Sequence, residues 1–208
     1  AGYMERRKDT LFIYEASIVR KMTYLFSLSG DSLKYECIED VRPQNGSEFC
    51  YAVHRLDNGL YVGGRLIGKD HLFVLLDENL DTITTFGKIP VEYTGDLLVD
   101  GNTVYYASNN FTYMAAYEIS NRKPIVKFEK MFVPPVLLNS GDRISFNKNK
   151  HLDGFLALKS YKDYLFATYS AKPKAELDLN GSSALVPTTI LAFDKSGNPL
   201  AKFTTPYK

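Results

Sequence analysis

A chain of 208 residues with 25 basic and 24 acidic side chains carries a formal net charge of +1. That balance lacks the basic excess of a nucleic-acid binder, and the length allows one sizeable core or one repeat array. The longest uncharged apolar stretch, around Val133 to Leu138, is far too short to span a bilayer. Tyr (15) and Phe (13) are abundant and Trp is absent, a composition that favours strands.

Read in order, the chain repeats one phrase four times. A short aromatic strand comes first: Leu11–Tyr14, Leu60–Gly63, Val104–Ala107 and Leu165–Thr168. A polar loop follows, then a second apolar run: Thr23–Phe26, Leu72–Leu76, Met114–Tyr117 and Ile190–Phe193. Next come turns rich in Gly, Asn, Asp and Ser, whose backbones or side chains suit reversal: 29–31, 77–79, 120–122 and 194–198. A last strand closes each unit. In three units it carries an apolar residue and then Phe three later, at Ile83/Phe86, Ile125/Phe128 and Leu200/Phe203. The first unit offers Leu33 and Tyr35 instead. Ahead of each later unit lies a further candidate strand, at Tyr51–Leu56, Asp96–Val99 and Gly154–Lys159, each ending in a turn signal.

A four-stranded unit of roughly 40–50 residues is the signature of a β-propeller blade. The expected fold is therefore all-β, with four antiparallel blades over about residues 10–42, 48–90, 92–131 and 150–206. A lone blade has two apolar faces and can bury neither. Stacked blades sandwich their inner strands, which then read as continuous apolar runs such as Leu72–Leu76. A generic β-sandwich would not need four matching units. Residues 1–9 are too polar to supply an innermost strand, so the first blade is expected to lack one. That disfavours a closed four-bladed ring and points to an arc of a larger one, with open blade edges available for pairing. Residues 132–150 and 171–189 read as long loops. Cys37 and Cys50 permit one disulfide without demanding it, and the repeat places them on different strands.

Residues 164–170, an interrupting polar loop, Ile190-Leu191-Ala192-Phe193-Asp194 and Gly197-Asn198-Pro199 resemble the bacterial TolB-like six-bladed propeller proteins. The resemblance is best over 150–206. It implies that about a third of a six-bladed ring lies outside this chain. It also implies an exported envelope protein, periplasmic or at the cell surface, often lipid-anchored. No charged-then-apolar leader and no anchoring Cys is visible near residue 1, so any export signal is expected to have been removed or to be lacking.

Propeller sites form where loops gather over one mouth of the channel. On this numbering the mouth takes the loops between second and third strands and the connections between blades. Arg20, Arg42, Arg65, Lys69, Asn110, Tyr113, Arg143 and His151 are the candidate ligand-binding residues there. A cationic mouth favours an anionic small molecule or an acidic protein partner. His54, His71 and His151 are scattered, and a satisfied structural role is expected of each; His151 and Asp153 would share one side of an extended segment. No zinc spacing, phosphate loop or serine elbow occurs, and no cofactor is expected. The first expectation is a non-catalytic envelope propeller that binds at its mouth. The alternative is a metal-dependent hydrolase, lactonase or lyase, using oxygens drawn from Glu92, Asp96, Asn109, Asn110 and Asp153.

Overall fold

The computed structural model describes residues 3–7, 9–14, 22–29, 32–40, 50–67, 70–89, 95–140, 143–169, 172–173, 175–176 and 187–204. It is all-β, and its recurring element is the four-stranded antiparallel sheet of a propeller blade. By internal packing the chain divides into two compact units, residues 1–55 with 59–88, and residues 56–58 with 89–208.

The first unit holds two sheets. One is β1 (Tyr3–Arg7), β2 (Thr10–Tyr14), β3 (Met22–Ser29) and β4 (Ser32–Asp40). The other is β5 (Cys50–Arg55), β6 (Tyr61–Ile67), β7 (Asp70–Leu76) and β8 (Thr82–Ile89). Each pairs in chain order. The strand at β1 corrects the expectation of a three-stranded first blade. It pairs antiparallel with β2, Tyr3 opposite Tyr14, Glu5 opposite Phe12 and Arg7 opposite Thr10. An end strand with only one neighbour is held by main-chain bonds, so charged side chains do not bar it. Cys37 and Cys50 stand on β4 and β5, in different sheets. On β7 the run Phe73 to Leu76 is fully buried, as its continuous apolar reading requires, and Val53, Val74 and Leu76 form a core joined by Tyr61 and Leu80.

The second unit holds β9 (Gly95–Asp100), β10 (Thr103–Ser108), β11 (Tyr113–Ser120) and β12 (Lys123–Met131) as one sheet. A second sheet comprises β15 (Phe155–Tyr161), β16 (Tyr164–Tyr169), β17 (Thr189–Asp194) and β18 (Pro199–Thr204). Between them β13 (Leu137–Ser140) and β14 (Arg143–Phe146) form a hairpin, Leu137 opposite Phe146. Residues 132–150 are thus not one long loop. Four-residue strands are too short to show a period, and their pairing became visible only in three dimensions.

The two sheets of this unit bury each other. Leu98, Tyr105, Ala107, Met114, Ala116 and Phe128 from one meet Phe155, Leu158, Leu165, Ala167 and Phe193 from the other. Each large side chain so buried contributes roughly 1.5–3 kcal/mol. The first strands β9 and β15 lie side by side, and the Leu158 N–H donates to Asp96 Oδ2 at 2.8 Å. The last strand β18 is exposed along its whole length. Two lysines stitch the sheets further. Lys195 pairs with Asp100 while its ammonium sits 5.3 Å from the Tyr105 ring centre, and Lys130 Nζ donates to Asn198 Oδ1 at 2.6 Å.

Two details repeat between sheets. The pairing of third and fourth strands slips at Leu25/Phe26, Ala116/Tyr117 and Ala192/Phe193, always just before the aromatic that ends the apolar phrase. Such a bulge adds twist at a defined place. The turns after β7 and β17 also match. Asp77 Oδ1 accepts from the N–H groups of Asn79 and Asp81, and Asp194 Oδ1 from those of Ser196 and Asn198. The fourth residue of each turn has positive φ, 66° at Leu80 and 72° at Gly197.

Candidate functional site

The buried polar groups of the second unit gather at one end of its sheets. There the turn between β10 and β11 meets the segment that enters β15. His54, Ser108, Asn110, Thr112, His151, Asp153 and Thr189 are the buried polar or charged residues among those described, and five of the seven belong to this place.

The turn is tight. The Asn110 N–H donates to Ser108 Oγ at 3.2 Å, and the Tyr113 N–H to the Phe111 carbonyl at 2.7 Å. The entering segment is drawn against it. The Gly154 N–H donates to the Asn109 carbonyl at 2.7 Å, and a Cβ on Gly154 would collide with the carbonyl oxygens of Ser108 and Phe111. Only glycine allows two stretches of backbone to approach so closely. On the other side the Asp153 N–H donates to the Lys172 carbonyl at 3.2 Å, and Leu152 bridges to Pro173.

His151 is the hub. It is 2% exposed and stacks on Phe146, ring centres 4.2 Å apart and planes 17° from parallel. Its Nδ1 accepts from the Val136 N–H at 3.3 Å, so Nδ1 carries no proton. The proton is then on Nε2, which donates to the Asn110 carbonyl. Both ring nitrogens are spent on main-chain groups from two different segments, the β10–β11 turn and the stretch before β13.

Beside the hub, Asp153 is buried and faces Tyr169. Burial chiefly, and then the Asp153 charge, raise the Tyr169 pKa. Asn109 Oδ1 is buried with no hydrogen-bond partner among the described residues. Across β11, the Tyr117 hydroxyl donates to Glu129 Oε1 at 2.6 Å. Tyr113 is buried between Tyr106 and Phe111, and burial followed by the Glu129 charge pushes its pKa up to about 12. Its phenol stays protonated, a donor and not a base.

Of the candidate residues, Asn110 and His151 are in direct contact, and Tyr113 begins the strand that leaves the same turn. Arg65 lies on β6 and Arg143 on β14, their side chains outside the described residues; Arg20, Arg42 and Lys69 lie outside them altogether. Asp96 accepts the Leu158 N–H between the first strands, and Glu92 lies outside the described residues. Among the described residues no three His, Cys, Asp or Glu side chains group closely enough to hold a metal ion. Sequence reading missed Phe146, Thr112 and Gly154. An aromatic five residues before a lone His was the available signal for the first.

No family model matches the sequence, and no curated protein does. Among solved structures, a protein from Lactobacillus plantarum is 11% identical, with a TM-score of 0.45 over 98% of this chain and 55% of that one. A calcium-binding protein, regucalcin, from Agrobacterium tumefaciens strain C58 is 10% identical, with a TM-score of 0.46 over 99% of this chain and 60% of that one. The chain thus spans a little over half the length of these two structures.

Proposed function

We propose that this chain is an arc of a TolB-like six-bladed β-propeller of the bacterial envelope, and that it binds an anionic small molecule or an acidic protein at a loop-lined mouth without transforming it. The observation that carries the reading is the hydrogen bonding of His151. A general base needs a nitrogen free to reach substrate, and here one nitrogen donates and the other accepts within the protein. The loops around it are cross-linked to one another, which lowers the ordering cost of holding a ligand. The anionic preference draws on Arg20, Arg42, Arg65, Lys69 and Arg143, which the sequence reading assigns to the loops and connections expected to line the mouth. The envelope location and the family draw on the phrase over 164–170 and 190–199.

Calorimetric titration with citrate, and separately with poly-glutamate, tests the reading and separates a small ligand from an acidic chain. Arg65→Glu/Lys69→Glu is expected to weaken the productive probe about tenfold and to flatten its salt dependence. Silence with both probes, or binding indifferent to the charge reversal, refutes it.

One observation favours a metal-dependent hydrolase instead. Among the described residues Asn109 Oδ1 is a buried acceptor without a donor, on the turn that contacts the residue after Asp153. Calcium titration decides: heat that disappears in Asn109→Leu supports this second reading, and no heat removes it.

A further inference from the structure

One face of the β15–β18 sheet is the uncovered copy of a face that is covered elsewhere in the molecule. On the β9–β12 sheet the paired row Leu98, Tyr105, Ala116 and Phe128 crosses all four strands, with Ala107 opposite Met114 beside it. These six are buried in the core shared with the β15–β18 sheet. The bulges fix the correspondence between the two sheets, since Ala116/Tyr117 in one answers Ala192/Phe193 in the other. Tyr105 then corresponds to Phe166, Ala107 to Thr168 and Met114 to Ile190. Leu165 and Ala167 point into the shared core, so Phe166 and Thr168, which alternate with them, stand on the opposite face. Phe203 pairs with Ile190, and Tyr161 with Tyr164, on that same face.

Tyr105, Ala107 and Met114 are at most 3% exposed. Phe166, Thr168 and Ile190 are half-buried, and Tyr161, Tyr164 and Phe203 are 64%, 45% and 51% exposed. Register carries this apolar and aromatic surface across all four strands. A sheet face of that composition is stable when a second layer lies on it.

The repeat says what such a layer is made of. The β9–β12 face is covered by Leu158, Ala167 and Leu191 in one paired row and by Leu165 and Phe193 in the next. The β1–β4 sheet holds the same two rows. Its bulge at Leu25/Phe26 sets the correspondence, and the matching positions are Met4, Ile13 and Tyr24, then Leu11 and Phe26. Every one is apolar or aromatic. Phe26 is half-buried where Phe193 is 1% exposed, and its ring meets that of Tyr35, itself 49% exposed, at 5.5 Å. The chain thus carries on its first sheet the complement that its last sheet lacks. We propose that the β1–β4 sheet of a second copy covers the β15–β18 sheet, with Phe26 in the role that Phe193 plays between the β9–β12 and β15–β18 sheets. The two faces differ, so the contact is heterologous, and a copy blocked at one face still offers the other. The proposal names what lies beside the fourth blade of the arc and does not depend on what the mouth binds.

Sedimentation velocity of the 208-residue chain over a wide concentration range tests it. The mass is expected to rise above that of one chain. Phe203→Asp and Phe26→Asp should each weaken association about tenfold. An equimolar mixture of these two variants should recover it as one-to-one pairs, because each keeps the face that the other has lost. Ile125→Asp, 53% exposed on β12, should change nothing. Tyr164→Asp and Tyr35→Asp carry the same test if either first variant lowers the urea midpoint. A single chain at every concentration overturns the proposal and leaves the face to a further blade from elsewhere. Association lost in Phe203→Asp but kept in Phe26→Asp overturns it in favour of like faces meeting. A mixture that fails to associate, or an equal loss in Ile125→Asp, also overturns it.

Discussion

Gly197 faces the ring of Phe128 so closely that a Cβ on the glycine would stand 2.6 Å from Cε2. The contact seats the turn after β17 on the outer strand of the neighbouring sheet, and φ at Gly197 is +72°. Two separate demands thus require glycine in the Gly-Asn-Pro phrase. Gly197→Ala is expected to lose roughly 2–3 kcal/mol in urea unfolding, about 1 from the backbone and the remainder from the collision. Phe128→Leu in the same background should recover the collision part alone. Additive losses in the two variants would mean that ring and turn act independently.

Gly154 is the stricter case, since its obstacles are carbonyl oxygens of Ser108 and Phe111 and not the end of a side chain. Main chain in a strand-to-strand turn has little room to give. Gly154→Ala is expected to cost about 3 kcal/mol or more and to lower Tm by about 10 °C. An unchanged melt would show the segment entering β15 to be looser than its bond to Asn109 indicates.

Asp96 bonds the two first strands of the second unit through Leu158. Burial raises its pKa, against the opposing effects of that bond and of Lys159. A carboxyl with a raised folded pKa holds its proton more tightly folded than unfolded. Its charge therefore costs stability at neutral pH, and the cost is relieved as pH falls through the raised value. Asp96→Asn keeps an acceptor for Leu158 and drops the charge, so stability near neutrality should be equal or higher and the acid-side gain should vanish. Asp96→Ala leaves a buried N–H without its partner and is expected to cost about 1–3 kcal/mol. Urea unfolding as a function of pH distinguishes the three proteins.

Asp194 has the opposite sign. Its main-chain bond from Asn198, then the Asn198 side chain, hold its pKa below the ordinary carboxylate value. A depressed folded pKa supplies stability that is present above the unfolded value and lost as pH falls through the folded one. Asp194→Ala should lower the urea midpoint at neutral pH and approach the parent protein as pH falls through the lowered folded value. A gap that stays constant into acid would assign the loss to turn geometry and not to the charge.

The parts of the fold that could be read from sequence are those written in side chains. Phe26, Tyr117 and Phe193 end like phrases, and each stands next to the same bulge in its sheet. Asp77 and Asp194 announce turns because their carboxylates bond the next residues' N–H groups. What escaped was carried by main chain. β1 pairs through backbone despite Glu5, Arg6 and Arg7, and the β13–β14 hairpin is too short for a period. At the candidate site the satisfied histidine was legible in kind. Its partners were not, because the Asn110 carbonyl and the Val136 N–H belong to no residue type. Asp96 was set among possible metal oxygens, since nothing in the sequence says that a strand N–H 62 residues away will claim it.

The reading of the mouth as a binding surface depends on how His151 uses its two nitrogens, and nitrogen-15 chemical shifts of that imidazole measure this directly. The expected spectrum has Nε2 protonated and Nδ1 as the acceptor, with a coupling across the hydrogen bond to the Asn110 carbonyl. A ring protonated on Nδ1, with Nε2 free to reach a substrate, would contradict the account and return His151 to the candidates for acid–base chemistry.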